Sequence, residues 1–434
     1  MDYQEALDYI SASGRFGIKL GLDRTRALLD AMGSPDAGLK GVLVAGTNGK
    51  GSTCAYIVAC LREAGYHVGS MPKPHLVSYT ERVQVDGIPI SEADFAAMVT
   101  ALRPVVEGAV EKHGQATEFE MLTAAAIGYL RDHDIDFLVC EVGMGGRLDS
   151  TNVLDLGVKV ITGVDLDHMK YLGDTIAAIA GEKAGIIRAG DSVVTGVLWP
   201  DAEAVIRDRA RSVGATVMGL GREIQVTSDS MGWEGSRFSV DLPPRPIARL
   251  ETRLLGPYQA VNAAVAVGAI TAMAARHGLR IGRSQLRRGL AAARWPGRLE
   301  LVPGEPLLLI DGGHNPAAVG AVVEAVRDLL SGGGGASRVV VVFGAMADKD
   351  WRGMLEVLPV EWPVVFTAVN ERRAAPPRDL LEFADRAGRE QDQAVDGVAA
   401  ALESARSVAG SSGVVLVIGS LYLAGDARQA AGLQ

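Results

Sequence analysis

Cysteine is scarce in this chain. Only Cys54, Cys60 and Cys140 occur, none at metal-ligand spacing, and three thiols in 434 residues make no disulfide framework. Each reads as a small buried hydrophobe. Positive charge is also short: 43 Lys and Arg stand against 52 Asp and Glu, a formal net charge of −9. No basic face is left for a phosphate backbone or an anionic lipid surface, so no nucleic-acid and no membrane partner is expected. A small anion in a locally positive pocket is not excluded. No uninterrupted apolar run approaches the ~20 residues of a membrane span. The opening Met1-Asp-Tyr-Gln-Glu5 lacks a basic and then apolar leader, so no secretory signal is expected and a reducing cytoplasm is the expected location. Internal repeats are missing, and the one low-complexity tract is Gly332-Gly-Gly-Gly335, read as a loop.

What is present is alternation. Apolar runs at Val42–Ala45, Phe137–Cys140, Val158–Thr162, Ser192–Val194, Leu307–Ile310, Val339–Phe343, Val364–Thr367 and Val414–Ile418 read as buried strands. Helical patterns at 95–106, 120–133 and 317–330 fall between them. This predicts an α/β protein with mostly parallel sheets covered by helices on both faces. Residues 221–254 break the pattern with short β-like pieces around Pro243-Pro-Arg-Pro246, an antiparallel patch ahead of a helix over 260–277. The length calls for two or three domains, and a fresh βα alternation after Pro296-Gly297 sets the expected boundary: 1–297, then 298–434.

The stretch Val42-Leu-Val-Ala-Gly-Thr-Asn-Gly-Lys-Gly-Ser-Thr53 is the most specific signal. A buried strand breaks into a glycine-rich turn and then a helix, which aims backbone N–H groups and a helix N-terminus at one point. Gly46, Thr47, Asn48, Gly49 and Gly51 would line a phosphate site. Lys50 would supply a point charge, and Ser52 or Thr53 a hydroxyl for Mg²⁺. Gly51 separates Lys50 from Ser52, a departure from the strict P-loop. A nucleoside triphosphate, ATP, is the expected ligand. Glu141 follows the strand ending at Cys140, at the carboxyl edge where open α/β sheets place ligands, and could approach Mg²⁺. His168 occupies the equivalent place on the next strand. Lys183 falls on the apolar face marked by Ile176, Ile179, Ala180, Ala184 and Ile187. Burial there should lower its pKa and leave an amine able to take up CO₂ as a carbamate.

The variant loop Gly46-Thr-Asn-Gly-Lys-Gly-Ser52 resembles that of the Mur ligase superfamily, and the chain is similar to the folylpolyglutamate synthase/dihydrofolate synthase family within it. The motifs run in family order: Gly14-Arg-Phe-Gly-Ile-Lys-Leu-Gly-Leu22, Glu141-Val-Gly-Met-Gly-Gly-Arg-Leu-Asp149 with Thr151-Asn152, Leu166-Asp-His168, Tyr171-Leu-Gly-Asp174 and Glu182-Lys-Ala-Gly-Ile186. Trp295-Pro-Gly-Arg-Leu-Glu300, Asp311-Gly-Gly-His-Asn-Pro316 and Gly419-Ser-Leu-Tyr422 complete the series. The resemblance implies a large ATP-binding domain, a smaller Rossmann-like glutamate ligase domain, and an active site between them. It implies a ligase that phosphorylates an acid with ATP and joins it to glutamate, releasing ADP and phosphate. Dihydropteroate, a reduced folate, or both would be the acceptor, and the chain would act as a monomer on these small molecules. Arg298 and His314 would contact the ATP phosphates, Asp311 the ribose and Asn262 the adenine. Ser52 and Glu141 would hold a first Mg²⁺ and His168 a second, and the lysine matching Lys183 is carbamylated in related Mur ligases. Lys73, His75, Arg82, Thr117 and Phe119 would border the substrate.

Two positions depart from the family. Relatives carry Thr-Ser-Pro-His-Leu where this chain has Pro72-Lys-Pro-His-Leu76, and Tyr258 replaces a usual histidine. A protonated lysine cannot ligate Mg²⁺, so Lys73 either replaces the charge of a second cation or meets an anionic group of a different acceptor. A Mur-type ligase for a non-folate acid therefore stays open. So does a nucleotide-binding regulator without catalysis, although retention of Glu141, His168, Lys183 and Arg298 argues against it.

Overall fold

Eight strands form the first sheet of the computed structural model, which describes residues 1–13, 21–243, 246–332, 338–389 and 391–433. The strands are β1 (Gly41–Ala45), β2 (Val68–Met71), β3 (Gln84–Val85), β4 (Ile88–Pro89), β5 (Phe137–Glu141), β6 (Gly157–Ile161), β7 (Ser192–Thr195) and β8 (Thr216–Gly219). Their order is β4-β3-β2-β5-β1-β6-β7-β8. From β2 to β8 every pairing is parallel, while β3 and β4 add an antiparallel margin. β1, β5 and β6 are buried along their whole length, as near-continuous apolar runs between two helical layers must be. The motif positions 14–20, residues 333–335 of the glycine run, and Pro244 and Arg245 lie outside the described residues.

Side-chain caps fix where the helices begin. Thr117 and Glu120 form a capping box for Glu118–Asp132, and Thr175 caps Ile176–Ala184. The helix Lys50–Glu63 starts from Gly49 at φ +85, a left-handed turn that glycine adopts without strain. Helix Arg283–Ala292 lies against Lys50–Glu63 at Gly289, where an added Cβ would stand 2.5 Å from the Cys60 Cα. The three cysteines are buried. Helix Tyr258–His277 has the length and hydropathy of a membrane span, mean hydropathy 1.3, yet 67% of it is buried within the protein. It is a core helix, interrupted by Gln259, Asn262 and Thr271.

Between the α/β segments, β9 (Gln225–Gly232), β10 (Gly235–Asp241) and β11 (Ile247–Thr252) form a three-stranded sheet in the order β11-β10-β9. Their connections are too short for parallel crossovers, so the patch is antiparallel. The second α/β sheet runs β12-β13-β17-β14-β15-β16, from Glu300–Val302, Leu307–Ile310, Val414–Ile418, Val339–Phe343, Val364–Phe366 and Gln393–Ala394. All its pairings are parallel except β12 with β13. Its core centres on Val341, Phe343, Phe366, Leu416 and Ile418.

The chain divides into two compact units. The first holds Met1–Thr227, Ser239–Leu250 and Val261–Ala293, and the second Ser228–Phe238, Glu251–Ala260 and Arg294–Gln434. The segments Ser228–Phe238 and Glu251–Ala260, which a single boundary at 297 assigns to the first domain, cluster with the second unit.

The Gly289 contact gives a test of the packing behind the phosphate-loop helix. Gly289→Val should overpack this contact and destabilise the fold by about 1–3 kcal/mol. Urea unfolding should show a lower midpoint at unchanged slope, and an unchanged midpoint would mean that the helix simply slides aside.

Candidate active site

The phosphate loop leaves β1 at the carboxyl edge of the first sheet. Gly46 has φ +151, and a Cβ there would meet the Thr162 Oγ1 at 2.0 Å. That hydroxyl donates to the Asn48 carbonyl at 2.6 Å, so the close approach is used to hold the loop. The Thr47 N–H donates to the Gly163 carbonyl at 2.8 Å and its hydroxyl to the Asp165 carbonyl at 3.2 Å, while the Asn48 amide reaches the Asp165 carboxylate at 3.2 Å. The loop is thereby stapled to the turn after β6. The Lys50 ammonium folds back onto the Gly46 and Thr47 carbonyls, both at 3.0 Å. Asn262 lies against the loop, its Oδ1 2.4 Å from where a Gly49 Cβ would be. Ser52 and Thr53 are buried in the first helical turn, and the Thr53 hydroxyl finds no hydrogen-bond partner.

Glu141 closes β5 and is 3% exposed. Register places it beside Val44 of β1, one strand from the loop. Its Oε2 accepts the backbone N–H of Lys73 at 3.1 Å. The Lys73 ammonium does not join it. That nitrogen is closed off from solvent, makes no hydrogen bond among the described residues, and sits 4.3 Å from the Phe119 ring centroid. The ammonium turns onto Phe119 instead of pairing with this carboxylate. Burial lowers the Lys73 pKa, with Cys140, Asp149 and Glu141 acting against that shift. Phe119 reaches this place because residue 143 is glycine, where a Cβ would stand 2.8 Å from the Phe119 Cζ.

Lys183 is 2% exposed in the last turn of Ile176–Ala184. Burial, then the neighbouring Lys50 charge, push its pKa down to about 7 against the pull of Asp167 and Asp165. The helical-face argument from the sequence thus describes its surroundings. The end of this helix docks on the loop after β5: the Arg147 N–H donates to the Glu182 carbonyl at 2.8 Å, and Asn152 donates to the Arg147 carbonyl at 3.0 Å. His168 is half-exposed in a left-handed conformation, φ +51, with its N–H on the Asp167 carboxylate at 2.8 Å. A non-glycine residue held there stores strain, a recurrent feature of functional sites.

His75, Tyr79, Arg82 and Glu118 form one cluster beside the Lys73 loop. The Arg82 Nε–H donates to the His75 Nδ1 at 2.8 Å, and the imidazole lies 4.4 Å from the Tyr79 ring. Burial and then the Arg82 charge lower the His75 pKa to about 3, so this histidine is neutral with its proton on Nε2. Thr117 is engaged as a helix cap, exchanging hydrogen bonds with Glu120, which Arg24 pairs at 2.8 Å.

The second unit gathers Arg298, Asp311 and His314 at the carboxyl end of β13. The Asp311 oxygens accept the N–H groups of Gly313 at 2.6 Å and Leu299 at 2.7 Å. Burial raises its pKa against the pull of Arg298. These two bonds hold Asp311 in the turn beside Arg298. The His314 Nδ1 lies 3.0 Å from the Gly312 carbonyl, and Asn315 caps the following helix.

Sequence reading passed over Asp149 as a functional group. Its carboxylate is 5% exposed and accepts from the Met144 N–H at 3.0 Å and from the Thr151 N–H and hydroxyl. Asp before Ser-Thr is an Asx-turn signature, the signal that could have found it. Among the described residues no three His, Cys, Asp or Glu side chains gather as a metal cage. The oxygen donors Ser52 and Glu141 instead suit Mg²⁺, which keeps waters and takes substrate phosphates as ligands.

A parallel sheet with a glycine-rich phosphate loop on its central strand, followed by a second α/β unit, defines a nucleotide-binding ligase of the Mur class. The model of the Mur ligase middle domain matches residues 44–270, and that of the Mur ligase glutamate ligase domain matches 297–421. The chain is 37% identical over 430 residues, 98% of both sequences, to the dihydrofolate synthase/folylpolyglutamate synthase of Bacillus subtilis. It is 35% identical over 435 residues to the folylpolyglutamate synthase of Lacticaseibacillus casei, covering 99% of this chain and 98% of that one. The folylpolyglutamate synthase of Mycobacterium tuberculosis, solved with ADP, superposes with a TM-score of 0.91 at 30% identity over 100% of both chains. The chain belongs to the dihydrofolate synthase/folylpolyglutamate synthase family of Mur ligases and is an ATP-dependent acid–amino-acid ligase.

The Lys183 environment sets a pH dependence. The unfolded lysine keeps its proton up to about pH 10.5, the folded one only to about 7. Stability should therefore rise with pH through that interval, by at most about 5 kcal/mol from this residue. In CO₂-depleted buffer, Lys183→Met should be more stable than the wild type at pH 7, with the gap closing toward pH 10. Parallel stability curves would place a solvated ammonium at 183.

Proposed function

We propose that this ligase joins L-glutamate to the carboxylate of dihydropteroate, of a reduced folate, or of both, through an acyl phosphate. The relatives it matches from end to end are dihydrofolate and folylpolyglutamate synthases, and this observation carries the choice of reaction. An acceptor carboxylate oxygen attacks the γ-phosphorus of ATP, and the bond to ADP breaks. The glutamate amine then attacks the acyl carbon, an amide forms, and phosphate leaves as the amine gives up its proton.

Catalysis of such a transfer is chiefly positioning and charge neutralisation. The loop N–H groups of residues 46–53 and the Lys50 ammonium take the nucleotide phosphates, while Arg298 and His314 are the second unit's phosphate contacts. Asn262, packed on Gly49, is the adenine-side residue, and Asp311 the ribose-side one. Ser52 and Glu141 would hold one Mg²⁺ and His168 with a carbamylated Lys183 a second, which would neutralise phosphate charge and orient the transferring group. A pKa near 7 leaves enough neutral Lys183 amine to add to CO₂ and lose a proton, giving an anion that offsets the Lys50 charge beside it. His75, Arg82 and the Lys73 loop border the acceptor. The protein works as a monomer on small molecules in the cytoplasm. Lys73 favours one second reading, the same chemistry on a non-folate acid.

A panel of acids tested for ADP release with ATP and glutamate separates these readings. Dihydropteroate or a reduced folate should support turnover, and release only with an unrelated acid would move the assignment. Lys50→Ala and Ser52→Ala should each lower kcat about a thousandfold with unchanged melting. Near-normal turnover in a folded Lys50→Ala protein would remove the phosphate-loop argument. With ¹³C-bicarbonate, the wild type should show a carbamate carbon resonance that Lys183→Ala lacks, and short carboxylates should partly restore that variant.

A further inference from the structure

A buried cation with nothing to bind is expensive. The Lys73 nitrogen is closed off from solvent and has no hydrogen-bond partner among the described residues. It stands over the face of Phe119, at 4.3 Å from the ring centroid. A cation–π contact offsets only a small part of the cost of burying an unpaired charge. The nearby carboxylates do not close the gap. Asp149 is engaged with Met144 and Thr151, and Glu141 with the Lys73 backbone, neither within ion-pair reach of the ammonium. The site thus presents three N–H donors aimed at no acceptor, in a place that Gly143 and Phe119 are shaped to provide.

Strand order says on which side of the reaction this cation stands. Lys73 follows β2, Glu141 ends β5 and the phosphate loop leaves β1, in the sequence β2-β5-β1. Adjacent strands lie about 4.8 Å apart, so β2 is roughly 10 Å from β1. Glu141 stands between the two cations: Lys50 serves the nucleotide flank, and Lys73 occupies the other.

We infer that Lys73 is a specificity residue that binds the carboxylate of the acceptor acid and holds it, on the flank of Glu141 away from the phosphate loop, for phosphorylation. This deepens the reaction proposed above and rests on it. Before an acceptor binds, the ammonium is held on Phe119. When the acid enters, its oxygens take the unused N–H donors, and an uncharged analogue of the same shape gains nothing.

The test measures binding of 7,8-dihydropteroate and of its carboxamide, each in the presence of the non-hydrolysable ATP analogue AMPPCP. The wild type should prefer the acid at least tenfold. Lys73→Met and Lys73→Gln should reduce that preference to within twofold, and Lys73→Arg should keep most of it. AMPPCP affinity should stay within twofold throughout, and Lys73→Met should melt no lower than the wild type because a buried charge has gone. Undiminished preference for the acid in both neutral variants overturns the inference. So does a tenfold loss of AMPPCP affinity with the preference intact, which would assign the ammonium to the nucleotide. A wild type that binds AMPPCP but neither binds nor turns over pteroate or folate acids overturns the acceptor reading itself, a failure visible without any variant.

Discussion

Parallel register across β2, β5, β1 and β6 is the constraint from which the first unit's site follows. Met71 pairs with Cys140, Val44 with Glu141 and Ala45 with Ile161, so four strands end almost level. The chain leaving each end must turn along the same edge, and it carries Lys73, Glu141, the phosphate loop and Thr162 there. Backbone ladders, not side-chain contacts, thus fix the order of these groups. A close approach at this edge is Gly46, where any side chain would collide with the Thr162 hydroxyl that holds the loop. A larger residue would push the loop away from the edge.

Charge at this edge is arranged at the expense of stability. Lys50 and Lys183 repel one another, and burial adds to the effect on Lys183. His168 is held in a left-handed conformation beside Asp167. Each feature is unfavourable by itself, and the surrounding scaffold makes it persist. The helix Ile176–Ala184 docks on the turn after β5 through Glu182 and Arg147, while Gly163 and Asp165 are tied to the phosphate loop through Thr47 and Asn48.

Much of this was legible in the sequence for local reasons. The phosphate loop announces itself because a buried strand, left-handed glycines and a helix start fall within a dozen residues. Burial of Lys183 follows from its spacing to Ile176 and Ile179, since helical periodicity is local. Other features are not local. Strand β2, Val68-Gly-Ser-Met71, has no apolar run, and its membership of the sheet depends on pairing with β5. Phe119 and Lys73 are far apart in sequence, and only the fold brings ring and ammonium together. Part of the antiparallel patch, Ser228–Phe238, clusters with the second unit, a grouping that depends on contacts distant in sequence. The backbone bond that Asp311 accepts from Leu299 is likewise non-local, and no spacing rule contains it.

The chemistry of an acid ligase explains why cations on both flanks of one carboxylate make physical sense. The phosphorylation proposed here brings an anionic acid against an anionic phosphate, and two unit charges 4 Å apart repel by about 4 kcal/mol at an effective dielectric near 20. That repulsion is largest before the new bond forms, so it must be offset while both substrates are bound. In its proposed place Lys50 neutralises only the nucleotide side. A cation on the opposite flank would lower the cost of holding the acid close without competing for the phosphates. The Lys73 ammonium, tethered by its backbone to Glu141, would do so at a fixed position, without recruiting a free ion each cycle. Its burial penalty is present in the empty site and relieved when the acid arrives. The same burial that weakens the fold thus favours binding of a charged acceptor over a neutral one.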